Sequence, residues 1–411
     1  MSRPLRDWLG AAAARAARPR PGDRPLRVVS EWEALRLVDD VRTLEETQRS
    51  RPGAISRWSM VSDIPEAEMR ERVTGRSAGE GAPPWHDGSG GGPVSGVSIC
   101  RTRDAFHAPM FGAVILDDGR VLESSVVEAL YMTPTLAGLP YATTTRDGVA
   151  LRAPSDVPTL RAATVFMAWG GIHNYGHFLL DCLPALEAAT DGAVSGAPPP
   201  IAPVLTEWQR EVLDAYFGEA GRVQEIAAPL VRVGDLIFAT PMNHFLHAPA
   251  PPLDRVRERL LAAADPAPTG LARLYISRRG DEKREMVNEA ELEAELEARG
   301  FTVVQAAAMP FREQVRLFRD AEVIVAPTGA ALANTLFCRP GAKVFEIQPT
   351  NFTGIWVRGV CHLVGADWHG YFAPSPLEET EIYLEGQRRP GVLFAWRTPL
   401  AEFLSFLDER L

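Results

Sequence analysis

Residues 323–337 read VIVAPTGAALANTLF. Val323 to Ala326 has the continuous apolar character of a strand buried on both faces of a parallel sheet. Pro327-Thr328-Gly329 forms a tight turn, and the Ala/Leu-rich run from Ala330 predicts a helix. A helix start beside a glycine exposes amide N–H groups with no intrahelical partner, and the helix dipole adds to their attraction for an anion. The segment therefore predicts strand, anion-binding turn and helix, with phosphate as the natural anion.

Outward from this stretch, strand and helix alternate. Leu274 to Ser277, Phe301 to Val304 and Val344 to Ile347 read as strands, and Asp254 to Ala264 and Phe311 to Arg319 as helices. Asn288 followed by Glu291 predicts a capping box, and Gly300 the helix stop. Upstream, Val165 to Ala168, Ala202 to Leu205 and a strand within Leu230 to Thr240 alternate with helices over Tyr175 to Leu183 and Glu207 to Phe217, with Gly170-Gly171 as a turn. This βαβ alternation predicts two Rossmann-like units facing across a cleft. Gly112 to Leu122, with Asp117-Asp118-Gly119 at its centre, predicts a hairpin that leads into them.

The boundaries follow. Residues 1–93 form an N-terminal extension ending in the Gly/Pro-rich linker Ser77 to Pro93, residues 94–252 the first unit, and residues 253–411 the second. Within the extension, Glu31 to Glu46 predicts one helix. Arg3 to Arg27 carries seven arginines against two aspartates and reads as a frayed basic tail; peripheral contact with an anionic membrane is the alternative.

The 411 residues carry a net charge of −10, which argues against nucleic acid as the main partner. Cys100, Cys182, Cys338 and Cys361 lie far apart, so neither a zinc site nor a disulfide framework is expected, and a reducing cytoplasm fits. No run of 18 apolar residues and no secretory signal core is visible.

Two segments carry candidate chemistry. In Ile172 to Pro184, IHNYGHFLLDCLP, a continuous helix would place His173, His177 and Asp181 on one face at a strand end. General acid/base work, a metal site and helix capping all remain open readings of these groups. Pro184 lacks the N–H that a helix needs and predicts a kink just after Asp181. In Tyr275 to Arg284, YISRRGDEKR, the cations Arg278, Arg279, Lys283 and Arg284 follow a strand end in the same unit as Gly329, and arginine forks match phosphate oxygens. Neither G-x-x-x-x-G-K-[ST] nor a strand-linked G-x-G-x-x-G is present, which disfavours P-loop NTPases and dinucleotide dehydrogenases. Gln314, Asn334 and Glu346 are further polar positions near the same cleft, Glu346 as a ribose ligand, a cap or a solvent-facing residue.

The segments NYGHFLLDCLP, LYISRRGDEKREMVNEAELEAELEARGF and FREQVRLFRDAEVIVAPTGAALANTLFCRPGAKVFEIQP, in that order, resemble glycosyltransferase family 61, and DDGRVLESS resembles the start of that family's domain. The resemblance covers about Val94 to Pro349. It implies a GT-B type fold with a β-rich leading segment, inversion at the anomeric carbon, and a nucleotide-sugar donor held by the second unit. By matching positions, Arg278, Arg284 and the Thr328-Gly329-Ala330 turn look like that family's donor-phosphate elements, and Arg279, Asn334 and Glu346, read from the residues above, complete the expected donor-binding set. Asp181 is the first choice of catalytic base and His177 the second, with His173, Asn174 and Tyr175 on the acceptor side. The expected partners are a nucleotide sugar and a glycan or lipid-linked acceptor of cell-surface polysaccharide synthesis, such as capsule, met at the cytoplasmic membrane face. No metal and no cofactor is expected. Thr328-Gly329-Ala330 departs from the family's usual His-Gly-Ala, which implies a weaker hold on the donor and leaves a catalytically inactive scaffold as the alternative.

Overall fold

The computed structural model describes residues 20–29, 40–43, 73–77, 98–122, 125–126, 136–190, 197–218, 222–239, 252–281, 283–350, 352, 354, 356–374, 383–384, 387–388 and 394–411. Two large sheets organise them, and both contain parallel strands.

The second sheet runs Thr302–Val304, Arg273–Ile276, Val323–Pro327, Lys343–Pro349, Asp367–Ala373, Val73–Ser77. Every neighbouring pair is parallel. Counted along the chain from Arg273, the first five stand in the order 2-1-3-4-5, that of an open doubly wound sheet and compatible with a Rossmann-like fold. Apart from Glu346, Gln348 and His369, the buried strand positions are mainly apolar because helices cover both faces. Helix Phe311–Asp320 shows how: Phe311, Val315 and Phe318 recur at helical spacing and are buried on one stripe. On the opposite face of the sheet, Leu292 and Leu296 of helix Glu289–Glu297 meet Phe403 and Phe406 of helix Leu400–Asp408 in a shared cluster.

The first sheet is mixed. Gln224–Ile226, Pro200–Pro203, Thr159–Val165 and Val231–Ala239 are parallel and stand 3-2-1-4 along the chain. Ser98–Ala108 then pairs antiparallel with Val231–Ala239 and feeds the hairpin Ala113–Ile115/Arg120–Leu122, in the expected place. Gly119 closes that hairpin at φ +93°, the left-handed region that glycine adopts without a Cβ penalty. Val114, Leu116 and Leu122 fold over Ala163, Val165 and Ile201, so hairpin side chains cover one face of the parallel half. On the other face, helices Leu183–Thr190 and Glu207–Phe217 share a single apolar cluster with helices Pro252–Ala262 and Phe311–Asp320.

The extension is not detached from this frame. Arg27–Val29 joins the first sheet beside Arg120–Leu122, and Val73–Ser77 joins the second beside Asp367–Ala373. Arg24–Pro25 pairs with Gly148–Leu151, and Arg152 grips Asp23 at 2.8 Å, so this end of the basic stretch is ordered strand and not a frayed tail. Asp40–Thr43 is a strand against Ser98–Arg101, in place of the expected helix; the rest of Glu31 to Glu46 lies outside the described residues. Residues 78–93 of the linker and 3–19 of the basic stretch lie outside them too.

Smaller corrections concern local chemistry. The strand before Trp169 is Thr159–Val165, earlier than expected, and Gly170-Gly171 lie within a short helix, Trp169–His173. Asn288 precedes helix Glu289–Glu297 without capping it, because its side chain is taken in both directions by the Thr398 backbone, at 2.8 and 3.0 Å. Among the described residues no helix is long and apolar enough to cross a membrane.

Candidate functional site

The carboxyl ends of Arg273–Ile276 and Val323–Pro327 flank the point where the strand order of the second sheet reverses, which is where open α/β sheets bind ligands. Thr328-Gly329 sits there, anchored by the Thr328 N–H donating to Ile347 O at 2.8 Å. Gly329 is extended, at φ −179°, so its lack of a side chain serves another purpose. A Cβ at this position would lie 2.9 Å from Arg278 Cδ and 3.0 Å from its Nε. Glycine is there to admit the arginine. The following run, Ala330–Phe337, is a 3-10 helix where an α-helix was expected. Its turns close one residue early, Leu332 N–H on Gly329 O at 3.0 Å, and the Thr335 hydroxyl takes the Leu332 carbonyl at 2.7 Å.

Arg278 is committed within the protein. Nη1 donates to Thr328 O at 2.6 Å, Nη2 to Lys283 O at 2.9 Å, and Nε to Asp281 Oδ2 at 3.0 Å. It acts as a strut that ties the basic loop to the Thr328-Gly329 turn. Arg284 is the opposite case. It occupies the left-handed region at φ +54°, lays its guanidinium over Phe352 at 4.5 Å, and buries an Nε that has no hydrogen-bond partner. Burial, and next the Arg278 charge, pull its pKa down to about 10. Two cations thus approach each other, and the one with donors to spare is held in a strained conformation. Arg279 turns away to pair with Glu293 at 3.1 Å, and its side chain is exposed.

Two other donor candidates lie beneath the surface. Asn334 is fully buried; its Oδ1 accepts from the Tyr175 hydroxyl and its Nδ2 donates to Gln314 Oε1 at 2.9 Å. Glu346 is fully buried under the Thr328 turn, with Oε2 accepting from Trp368 Nε1 at 2.9 Å and Oε1 without a hydrogen bond of good geometry. Burial raises its pKa to about 7, against a smaller opposing effect of Trp368, Gln348 and Thr328. Neither side chain has surface to offer a ligand in this conformation.

The segment from the first unit is not one helix. Trp169–His173 ends at Asn174, whose backbone leaves helical dihedrals (φ −137°, ψ 125°). Asn174 Oδ1 then caps the next turn, accepting from Gly176 N–H at 2.8 Å and His177 N–H at 3.3 Å. Residues 178–182 form a π-turn, closed by Leu183 N–H on Phe178 O, before helix Leu183–Thr190 begins. This wide turn is the distortion anticipated from Pro184. His173 is therefore separated from the pair that remains. That pair is close: His177 Nδ1 lies 2.8 Å from Asp181 Oδ2. Asp181 is 1% exposed, so the carboxylate stands behind and the imidazole in front. Tyr175, through Asn334, bridges this segment to the 3-10 helix. A Cβ on Gly176 would be 3.8 Å from Ala330 Cα and from Ala330 O, so the residue before His177 adjoins the residue that follows Gly329.

Residues 175–345 match the model of the family described as Glycosyltransferase 61. Over this stretch the chain is similar to glycosyltransferase 61. The match bears out the resemblance seen in the sequence, over a shorter span than Val94 to Pro349. No curated protein matches the chain. The matched residues include Tyr175, His177, Asp181, Arg278, Arg284 and Thr328-Gly329-Ala330; the fold brings Arg278 against Thr328-Gly329 and Gly176 against Ala330. Phe352 was missed from sequence; the only signal for it was its place just beyond the apolar strand Lys343–Pro349. Asp281 was visible in the basic loop but passed over, although a lone acid among four cations is where an arginine strut would be fastened.

Proposed function

We propose that the chain transfers a sugar from a nucleotide-sugar donor to a glycan or lipid-linked acceptor, with inversion, in a GT-B type arrangement of units 94–252 and 253–411. The observation that carries this reading is Arg284: a half-buried guanidinium with an unpaired Nε, strained backbone and a second guanidinium nearby, at the switch point of an α/β sheet. Such a group is relieved by an anion of high charge, and a nucleoside diphosphate supplies one.

In this mechanism Asp181 holds the His177 Nδ1 proton, which places the lone pair on Nε2. Nε2 takes the proton of the acceptor hydroxyl as its oxygen attacks the anomeric carbon from the face opposite the diphosphate. The bond from that carbon to the diphosphate oxygen breaks, and its electron pair leaves with the diphosphate. Arg284 and the N–H groups beyond Gly329 neutralise the departing charge, and stabilisation of this kind is usually the largest catalytic contribution. Arg278 sets their position through the Thr328 carbonyl.

A panel of nucleotide sugars tests the reading: the expected result is acceptor-dependent release of nucleoside diphosphate that persists in EDTA. Complete loss in EDTA with recovery in Mn²⁺ would contradict the assignment of charge neutralisation to Arg284. One observation favours a second reading, a nucleotide-binding scaffold without turnover. Thr328 is buried and acts on Glu346, so its hydroxyl is spent inward instead of on a leaving phosphate. Nucleotide binding without any diphosphate release from the panel would select the scaffold.

A further inference from the structure

The first unit carries an aromatic surface that neither the His177–Asp181 pair nor Arg284 and the Thr328-Gly329 turn uses. Trp169 and Phe111 are both partly exposed, with ring centroids 5.2 Å apart and planes tilted by 35°. His173 is exposed and meets Trp169 edge-on at 4.8 Å. Met110, beside Phe111, is 41% exposed. These residues come from two distant segments, the turn Pro109–Phe111 and the helix Trp169–His173. The two are locked by backbone contact: Gly112 sits at φ +69°, and a Cβ there would lie 2.7 Å from Met167 O and 2.9 Å from Ala168 Cα. Only glycine permits this approach. The rings are therefore held by rigid backbone and not by a mobile loop.

The shelf also leads directly into the catalytic segment. Helix Trp169–His173 packs on the π-turn so closely that a Cβ on Gly171 would lie 2.2 Å from Cys182 Sγ, and Asn174, its C-terminal cap, is also the N-terminal cap of the turn that holds His177.

We propose that Met110, Phe111 and Trp169 form an acceptor subsite that stacks the C–H face of a neutral sugar ring, with His173 and Asn174 hydrogen-bonding hydroxyls at its rim. The proposal rests on the sugar-transfer reading above, since the substrate of the adjacent His177 is then a hydroxyl. Three features select a neutral saccharide. The electron-rich faces of aromatic rings attract the positively polarised C–H edges of a pyranose. None of the five residues carries a fixed charge, so the shelf offers nothing to a phosphate or a carboxylate. Desolvation by its neighbours lowers the His173 pKa below 6.5, which keeps the ring neutral at pH 7 and able both to donate and to accept, as a hydroxyl requires. The specificity of the acceptor would then be read by the equatorial or axial setting of hydroxyls around a ring lying on Trp169.

The test is saturation-transfer NMR of the full chain with cellotetraose, xylotetraose, chitotetraose and mannotetraose, alongside calorimetry with UDP, GDP and CMP. The expected result is transfer to the axial C–H protons of at least one tetraose, weakened roughly tenfold by Trp169→Ala and by Met110→Glu and retained by Trp169→Phe, with nucleotide affinity unchanged in all three variants. Met110 is exposed, so its variant keeps the test valid if Trp169→Ala does not fold. A tetraose that binds Trp169→Ala and Met110→Glu as well as it binds the parent overturns the shelf. So does a chain that binds a nucleotide but none of the four saccharides. Absence of both nucleotide and saccharide binding overturns the sugar-transfer reading itself.

Discussion

Arg284 spends stability that an ordinary surface arginine would not. A left-handed backbone at a residue with a side chain costs of order 1 kcal/mol, and a buried unpaired N–H about 1–3 kcal/mol. Stacking on Phe352 returns about 0.5–1 kcal/mol, and glycine at the same position gives up about as much through the flexibility of the unfolded chain. Arg284→Gly is therefore expected to raise the thermal midpoint by ~1–2 °C in the absence of nucleotide. Differential scanning calorimetry checks this; a lower midpoint would mean that Arg284 is part of the fold's support and not a strained binding residue. His177 and Asp181 make a different prediction. Asp181→Asn leaves the ring without an anion to hold its Nδ1 proton, so turnover falls about 10²–10⁴-fold and donor affinity stays the same. Steady-state kinetics with an unaltered kcat would reduce Asp181 to a helix cap. None of this detail was visible in the sequence. It showed cations after a strand, but which of four cations is committed inside the protein depends on Asp281, the Lys283 carbonyl and the Thr328 carbonyl, which only the fold brings together.

Elements differ in how far their own residues determine them. Val323–Pro327 was legible because a strand covered on both faces is apolar at every position, Lys343–Pro349 because its apolar run is interrupted only by Glu346 and Gln348, and helix Phe311–Asp320 because its buried stripe keeps helical spacing. The break at Asn174 was not legible. Asparagine is tolerated inside a helix and preferred at its start, and the choice here follows from where the previous helix must end to pack against Cys182. Arg27–Val29 and Val73–Ser77 are similar cases: two short segments take their structure from partner strands far along the chain. The Thr328-Gly329 turn gives the test at this scale. Gly329→Ala drives a Cβ to within 2.9 Å of an arginine side chain that three hydrogen bonds keep from swinging aside. The cost should be about 1–3 kcal/mol in chemical unfolding. In the background Arg278→Ala the same substitution should cost much less. Equal costs in both backgrounds would show that Arg278 is not what the glycine accommodates.

At the level of the whole molecule, the two sheets are joined by one apolar cluster and by helix Pro252–Ala262. Arg255 and Arg259 of that helix both reach the buried Glu187 of helix Leu183–Thr190 at 3.1 Å, while Arg257 donates to Leu336 O at 2.7 Å and Cys338 O at 3.0 Å, at the end of the 3-10 helix that follows the Thr328-Gly329 turn. A change beneath the turn should therefore be felt in global stability. Glu346 is such a place. Its carboxyl has a folded pKa near 7, raised by burial from the ordinary 4.5. The folded state keeps a proton that the unfolded chain releases, so the carboxyl carries no penalty below pH 4.5, a growing one between pH 4.5 and 7, and its full penalty above. Glu346→Gln retains an acceptor for Trp368 without the charge. Urea unfolding should show it more stable than the parent at pH 8 by on the order of a few kcal/mol and nearly equal at pH 4.5. A constant difference at both pH values would mean that the carboxyl does not titrate in the folded molecule. The alternation of strands and helices, and with it the parallel strands of both sheets, could be read from the sequence at this scale; the approach of Gly176 to Ala330 could not, because no local pattern encodes which loops meet.

The central claim is that the Arg284 guanidinium and the Thr328-Gly329 turn together hold a diphosphate. Isothermal titration of UDP, GDP and UMP into the parent chain and Arg284→Gly tests it most directly. The expected outcome is that at least one diphosphate binds the parent more tightly than UMP does, and that Arg284→Gly weakens it by about ten- to hundredfold, the worth of a hydrogen bond to a charged group. Diphosphate affinity that is the same in the parent and in Arg284→Gly would contradict the account.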